Sequence, residues 1–474
     1  MIDRIRKHRG PRVALVEPGR GLTLTYAELM DRADEVAGRI SAAAGHRCLV
    51  FLAMEPQVDS VVLYLACLSA GLPVCLVETR SEPLARTAAA YTPHLVLLPP
   101  WLDPPPGYGG GVEPLQGSEY RLWTIEHGER SPVHADLALL LTTSGSTGSP
   151  KLVRLSSRNV ESNAVAIVEY LRLSPDERAI QSLPTHYSYG LSVLHSHLVA
   201  GGSVVLVPDS FLRREFWTIV DEHRCTSFAG VPYMYETLHR LRFTPVRHPS
   251  LRTLTQAGGG LRPDLITAFH ESSVAAGVRF FVMYGQTEAT ARISYVPPER
   301  LADKVGSIGI AIPGGRLSLA PVEGMEGSQE LVYAGPNVMM GYAETRQDLE
   351  LGDVQNGVLK TGDLGRVDAD GYFSVVGRLT RFAKLFGRRV SLEDVEREME
   401  SSFPVRTAAL DGGDRILLYV EPPAAVADEV LANHAARFLG VPPKSIDVRR
   451  STSLPLTSSG KKNYQALEAL ARNG

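Results

Sequence analysis

The spacing of apolar residues changes along the chain, and each change marks an element. Leu29, Ala33, Val36 and Ile40 recur at three- and four-residue intervals, which predicts the apolar face of a helix. Thr25 and Glu28 stand at capping-box spacing ahead of it, and Gly45 follows it. Residues 48–54, CLVFLAM, are a short apolar run of the kind a buried strand makes. Residues 61–77 are seventeen uncharged positions interrupted by Gly71 and Pro73. A membrane-spanning helix needs about 20, so a buried helix, a turn and a buried strand are expected. Residues 104–111, PPPGYGGG, read as a surface loop. Strands are expected at 137–141, running into a Ser/Thr/Gly loop, then at 201–208 after a helix, and at 279–285. Strands alternating with helices predict an α/β protein with a mostly parallel sheet.

From Glu330 the pattern shifts to strand-like segments with turns: ELVYAG, VLKTGDLGRV and YFSVVGR. The last hundred residues read as a small α+β unit. There Ser391 with Asp394 caps a helix carrying Leu392, Val395 and Met399, and 415–422, RILLYVEP, is a strand. A further helix precedes a loop at 454–462. The boundary is expected near Gly377, giving domains 1–377 and 378–474.

Composition narrows the class. The 474 residues suffice for two or three domains, and a net charge of −3 leaves no basic footprint for nucleic acid. The basic N-terminus lacks the apolar stretch of a signal peptide. Cys48, Cys67, Cys75 and Cys225 make no C-x-x-C pair, which predicts buried free thiols and a reducing, cytoplasmic setting without a membrane.

The strongest chemical signal is Thr142-Thr143-Ser144-Gly145-Ser146-Thr147-Gly148-Ser149-Pro150-Lys151, directly after an apolar strand. Its glycines let backbone approach an anion, its hydroxyls donate hydrogen bonds, and its lysine brings charge, a set suited to polyphosphate. Pro150 stands where a Walker-type loop has glycine before lysine, and Pro455 spoils the same pattern ahead of Gly460-Lys461. No G-x-S-x-G elbow occurs, so a serine hydrolase is not supported.

This loop resembles the phosphate loop of the adenylate-forming superfamily, which includes acyl- and aryl-CoA synthetases, adenylation domains and luciferase-like enzymes. Further motifs follow in that superfamily's order over more than 300 residues. Tyr284-Gly285-Gln286-Thr287-Glu288 matches Y-G-x-T-E. Glu330-Leu331, Gly341-Tyr342 and Thr361-Gly362-Asp363 match the G-E-L, G-Y and T-G-D segments. Gly377-Arg378 with Lys384 and Gly387 resembles the hinge motif, and 454–461 matches L-P-x-T-x-x-G-K.

The resemblance implies a large N-terminal domain of α/β subdomains with a small mobile α+β C-terminal domain. It implies ATP and Mg²⁺ as cofactors, with Glu288 holding the metal, Thr287 donating to the α-phosphate and Tyr284 facing adenine beside Gly259 and Gly260. Asp363 would accept the ribose hydroxyls near Arg378. Lys461 would be the catalytic cation between carboxylate and phosphate, a role worth roughly 10²–10³ in rate. Pro184-Thr185-His186-Tyr187-Ser188-Tyr189-Gly190-Leu191 resembles P-L-F-H-x-x-G-L, which places His186 and Tyr187 at the acid, and Gly258-Gly259-Gly260 resembles the G-G-A/G stretch lining the acyl pocket and adenine, which adds Gly258. Amino-acid-activating members have an aspartate near Ser188, so an aromatic or medium-chain acid, not an α-amino acid, is expected.

Two positions depart from the pattern: Leu152 follows the loop lysine in place of glycine, and Thr380 stands at the pivot where Asp or Lys is usual. The expected reaction is ATP-dependent formation of an acyl-adenylate, then acyl transfer to CoA or a carrier protein's phosphopantetheine. Lys384 and Gly387 belong to the segment that meets that thiol. The alternatives are an amide synthetase with an amine acceptor and a non-catalytic nucleotide-binding protein.

Overall fold

The computed structural model describes residues 1–474 except 113–117, 127–131, 143–150, 324, 326, 380, 386–387, 422–425, 458–460 and 474, with backbone alone at 112, 384, 388, 389, 472 and 473. It divides into two compact units, Met1–Arg316 with Tyr333–Leu359, and Leu317–Val332 with Lys360–Gly474. The protein is a mixed α/β structure, as expected.

In the first unit, the described residues form a nine-stranded and an eight-stranded sheet. The nine-stranded sheet has a parallel centre: Val13–Glu17, Ser203–Leu206, Arg178–Gln181, Ser227–Gly230, Thr253–Gln256 and Arg279–Tyr284, in that spatial order. The eight-stranded sheet sets Leu137–Thr142 beside Val74–Val77 in parallel and beside Leu152–Ser156 antiparallel. One core joins the two sheets. It takes Val204 and Leu206 from the first, Val50, Leu52 and Leu139 from the second, and the buried faces of helices Tyr26–Ala44, Val58–Ser69 and Ser188–Ala200.

Local signals appear where the hydrogen bonds are local. Thr25 and Glu28 form the full capping box ahead of Tyr26–Ala44, with Gly45 left-handed at φ 65°. Residues 61–77 are the expected helix, turn and buried strand, Val58–Ser69 and Val74–Val77. All four cysteines are buried and free. No helix among the described residues is long and apolar enough to cross a membrane.

The loop expected at 104–111 is instead partly a strand, Tyr108–Val112, at the edge of the eight-stranded sheet. Its glycines serve it there. A bulge falls between Gly109 and Val112, and a Cβ on Gly111 would lie 2.8 Å from the Trp123 ring. Edge position and the Tyr108 hydroxyl, which donates to Pro93 O at 2.5 Å, outweigh the low strand propensity of glycine.

The second unit contains most of a four-stranded sheet, including the antiparallel pair Val358–Val367 and Phe373–Arg378. It also holds a three-stranded sheet of Arg406–Asp411, Ile416–Glu421 and Ile446–Arg450. Helices Leu392–Ser402 and Asp428–Leu439 share a core with that sheet through Val395, Met399, Leu418 and Leu431. Ser391 caps the first of these helices through Asp394 N at 3.2 Å.

Candidate active site

Three predicted segments leave the carboxyl ends of parallel strands in the nine-stranded sheet, the edge where open α/β sheets bind ligands. Pro184–Leu191 follows Arg178–Gln181, Gly258–Gly260 follows Thr253–Gln256, and Gly285–Glu288 follows Arg279–Tyr284. Thr253–Gln256 and Arg279–Tyr284 are paired neighbours, with Gln256 opposite Val282, so the last two segments emerge side by side. Glycine is required at several of these exits. Gly258 has φ 89°, and Gln256 Nε2 donates to Gly259 O at 2.9 Å. A Cβ on Gly285 would lie 1.8 Å from Ala291 O, and one on Gly190 would lie 2.1 Å from Pro184 O.

The Tyr284–Glu288 turn is half-buried and stapled from behind. Met339 N donates to Glu288 O at 2.9 Å, Thr290 Oγ1 to Asn337 O at 2.8 Å, and Asn337 Nδ2 to Ala289 O at 2.9 Å. Gln286 Nε2 reaches the Tyr284 hydroxyl at 3.1 Å, and Thr287 Oγ1 lies 3.2 Å from Ser188 Oγ. The Tyr342 hydroxyl donates to Glu288 Oε1 at 2.7 Å. Burial, and then the adjacent Glu288 charge, raise that tyrosine's pKa, so it stays a donor.

The eight-stranded sheet brings a lysine to the same tyrosine. Gly341–Ala343 pairs with Leu152–Ser156, setting Ala343 opposite Leu152. Lys151 Nζ therefore lies 3.5 Å from the Tyr342 ring centre and 3.2 Å from Glu344 Oε1. Thr143, Ser144, Gly145, Ser146, Thr147 and Gly148 lie outside the described residues. The strands on either side of them form an antiparallel hairpin with Thr142 opposite Leu152.

On the acid side, His186 is half-buried with Nε2 3.8 Å from Glu78 Oε1. Burial lowers its pKa against the pull of Glu78, which favours neutral imidazole. Tyr187 and Tyr189 meet edge to face at 6.3 Å. Arg292, which sequence reasoning missed, stacks on the Tyr189 ring at 4.0 Å and is 2% exposed. The available signal was a lone arginine inside ATARISYV, four residues after Glu288.

In the second unit Asp363 is 1% exposed, and Arg378 Nε donates to its Oδ1 at 2.7 Å from the facing position of the ladder. Gly362, at φ 73°, turns its N–H to Glu330 Oε1 at 2.9 Å, and Thr361 Oγ1 donates to Leu331 O at 2.8 Å. Lys461 lies elsewhere in this unit, on a turn closed by Thr457 N to Lys461 O at 2.8 Å and a bridge between Leu456 and Lys462. Thr380 and Gly387 lie outside the described residues. The backbone of Lys384 runs in Phe382–Leu385, paired with Arg388–Ser391.

Among the described residues no cluster of three or more metal-ligating side chains occurs. A magnesium ion does not require one, since it binds through one or two carboxylates together with substrate phosphates. Glu288, half-buried and oriented by Tyr342, is a donor of that kind.

Known proteins resemble the chain along nearly its whole length. The chain is 29% identical over 495 residues to a feruloyl-CoA synthase of an Amycolatopsis species, covering 96% of this chain and 95% of that protein. Its fold matches o-succinylbenzoate CoA synthetase from Bacillus subtilis in complex with its acyl-adenylate intermediate, with a TM-score of 0.76, 21% identity and coverage of 98% and 97%. It also matches an amide bond synthetase from Marinactinospora thermotolerans, with a TM-score of 0.77, 21% identity and 99% coverage of each chain. The family model described as AMP-binding enzyme covers residues 2–97 and 101–343, and the chain belongs to that family.

Proposed function

We propose that the protein activates a carboxylic acid with ATP and then transfers the acyl group to a thiol. The acid's carboxylate attacks the α-phosphorus, the bond from that phosphorus to the α,β-bridging oxygen breaks, and acyl-adenylate and pyrophosphate result. The thiol of CoA or of a carrier protein's phosphopantetheine then displaces AMP. The observation that carries this reading is the Tyr284–Glu288 turn, stapled at the carboxyl edge of a parallel sheet with Glu288 oriented by Tyr342 and Lys151 beside it. The likeness to CoA ligases along nearly the whole chain supports it.

Within this reading the side chains divide the work. Lys151 and the hydroxyls of 143–148 neutralise the β- and γ-phosphates. Glu288 holds Mg²⁺, which screens the polyphosphate charge when bound. Tyr284 and Gly258–Gly260 bound the adenine and acyl spaces, while Gln286 and Thr287 face the α-phosphate. Asp363, aimed by Arg378, accepts the ribose hydroxyls. Lys461 stabilises charge building between carboxylate and phosphate. His186 and Tyr187 wall the acid pocket. Domains 1–377 and 378–474 rotate about Thr380 between the two steps, so that Lys461 serves the first and the segment of Lys384 and Gly387 serves the second.

One observation favours a second acceptor: Thr380 replaces the usual Asp or Lys at that pivot. An enzyme that completes both steps in one orientation, with an amine attacking the adenylate, fits that departure. ATP–pyrophosphate exchange over a mixed panel of acids, followed by product analysis with CoA, a phosphopantetheinylated carrier and simple amines, separates these readings. Absence of exchange with every acid overturns acid activation. An amide product without thioester selects the second acceptor.

A further inference from the structure

Arg292 carries a charge that its surroundings leave uncompensated. It is 2% exposed, its Nε has no hydrogen-bond partner, and among the described residues no carboxylate stands at ion-pair distance from it. Its neighbours are aromatic. The guanidinium sits 4.0 Å over the Tyr189 ring. Burial raises the Tyr170 and Tyr187 hydroxyls to about 12, with Arg292 pulling both the other way. A ring face offsets part of the cost of burying a guanidinium. The edge of the fork, where a carboxylate pairs bidentately, receives no anion from the fold. An unpaired buried charge is expensive, and folds tolerate one where a ligand completes it.

Its position says which ligand. Tyr284–Glu288 is half-buried at the edge of the site, whereas residues 289–294 are buried. The chain descends between them through Thr290, at φ 64°, and Asn337 Nδ2 holds Arg292 O at 2.9 Å. Arg292 thus lies at the floor, against the Tyr187–Tyr189 segment assigned to the acid, while phosphate chemistry belongs to the rim.

We infer that Arg292 pairs with a second anionic group of the substrate, so that the acid activated here is a dianion. One carboxylate reacts at the rim, and a terminal carboxylate or sulfonate is held on the floor by the guanidinium fork. This rests on the acid-activation reading above and narrows its substrate class. It also accords with the character of Ser188: that neutral side chain offers an α-amine no counter-charge, and the Arg292 cation would repel it.

The test is ATP–pyrophosphate exchange with matched pairs, each a dicarboxylic acid and its distal monoamide or monomethyl ester, in aliphatic and aromatic series. Wild type is expected to prefer the dianion by at least about 30-fold in kcat/KM, equivalent to about 2 kcal/mol. Arg292→Met should bring that ratio to within about 3-fold, and Arg292→Lys should keep part of it, having the charge without the fork. A purely structural arginine would lower activity on both members of a pair and leave the ratio unchanged, which would overturn the inference. Should Arg292→Met fail to fold, the wild-type ratio decides alone. Equal or better exchange with the neutral members overturns the dianion while leaving acid activation standing. Exchange with no acid overturns both.

Discussion

Lys462 and Glu396 allow a quantitative test of how Lys461 is held. Glu396 is 5% exposed and accepts four hydrogen bonds: Arg381 Nη2 at 2.7 Å, Ala409 N at 2.8 Å, Lys462 Nζ at 2.8 Å and the Tyr464 hydroxyl at 3.0 Å. Lys462 also reaches Glu400 Oε1 at 2.9 Å, and its side chain is 21% exposed. Burial pushes the Glu396 carboxyl up, but Lys462 and Arg381 outweigh it and hold its pKa below the ordinary 4.5. For Lys462 burial pulls down, and Glu396 with Glu400 raises it above its usual value. Coulomb's law at an effective dielectric near 20 assigns a unit pair about 3 Å apart roughly 5 kcal/mol. Sharing with Arg381 and Glu400 and the partial exposure of Lys462 reduce the expected coupling to about 3 kcal/mol, within what breaking a buried pair costs. The assay is urea unfolding of the full chain for wild type, Lys462→Met, Glu396→Gln and the double variant, combined as a cycle. A carboxylate with a depressed pKa stabilises above its unfolded value, and that contribution goes as pH falls through the folded one. The cost of Lys462→Met should therefore be full at pH 7 and shrink below pH 4.5 as Glu396 protonates. Exchange activity should fall beyond any loss of folded protein, because Lys462 anchors the turn that bears Lys461. A coupling under about 1 kcal/mol, the level of an exposed pair, would refute the reasoning.

Asp363→Ala should raise the KM for ATP at least about tenfold and leave the KM for the acid little changed, since each hydrogen bond to a charged group is worth about 1.5–3 kcal/mol; equal shifts in both would remove Asp363 from the ribose. Gly285→Ala should destabilise the protein by about 3 kcal/mol, the upper range for overpacking, because its Cβ would overlap Ala291 O at 1.8 Å. A calorimetric Tm within a degree of wild type would show that the turn yields freely. Lys461→Ala should lower exchange by roughly 10²–10³ yet still convert chemically supplied acyl-adenylate with the acceptor. Equal loss of both half-reactions in folded protein would count against two working orientations.

Where hydrogen bonds close within a few residues, the chain's order of residue types was sufficient. The Thr25–Glu28 and Ser391–Asp394 caps involve partners three residues apart, so local spacing reveals them. Strand Val358–Val367 coincides with the segment VLKTGDLGRV, and buried strands such as Leu137–Thr142 announce themselves as apolar runs. The adenylation motifs could be named for the same reason: each is a short stretch whose glycines and charges adjoin in sequence. Tertiary structure decided what those residues touch. The glycine-rich stretch at Tyr108–Val112 became a strand because a partner supplied its ladder and Trp123 demanded glycine beneath it. Glu288 is oriented by a tyrosine 54 residues away, and Lys462 meets a carboxylate 66 residues off. Arg292 shows the limit most clearly. Periodicity marks which positions are buried, but whether a buried charge finds a counter-charge depends on elements brought together from across the chain, and no local pattern encodes that.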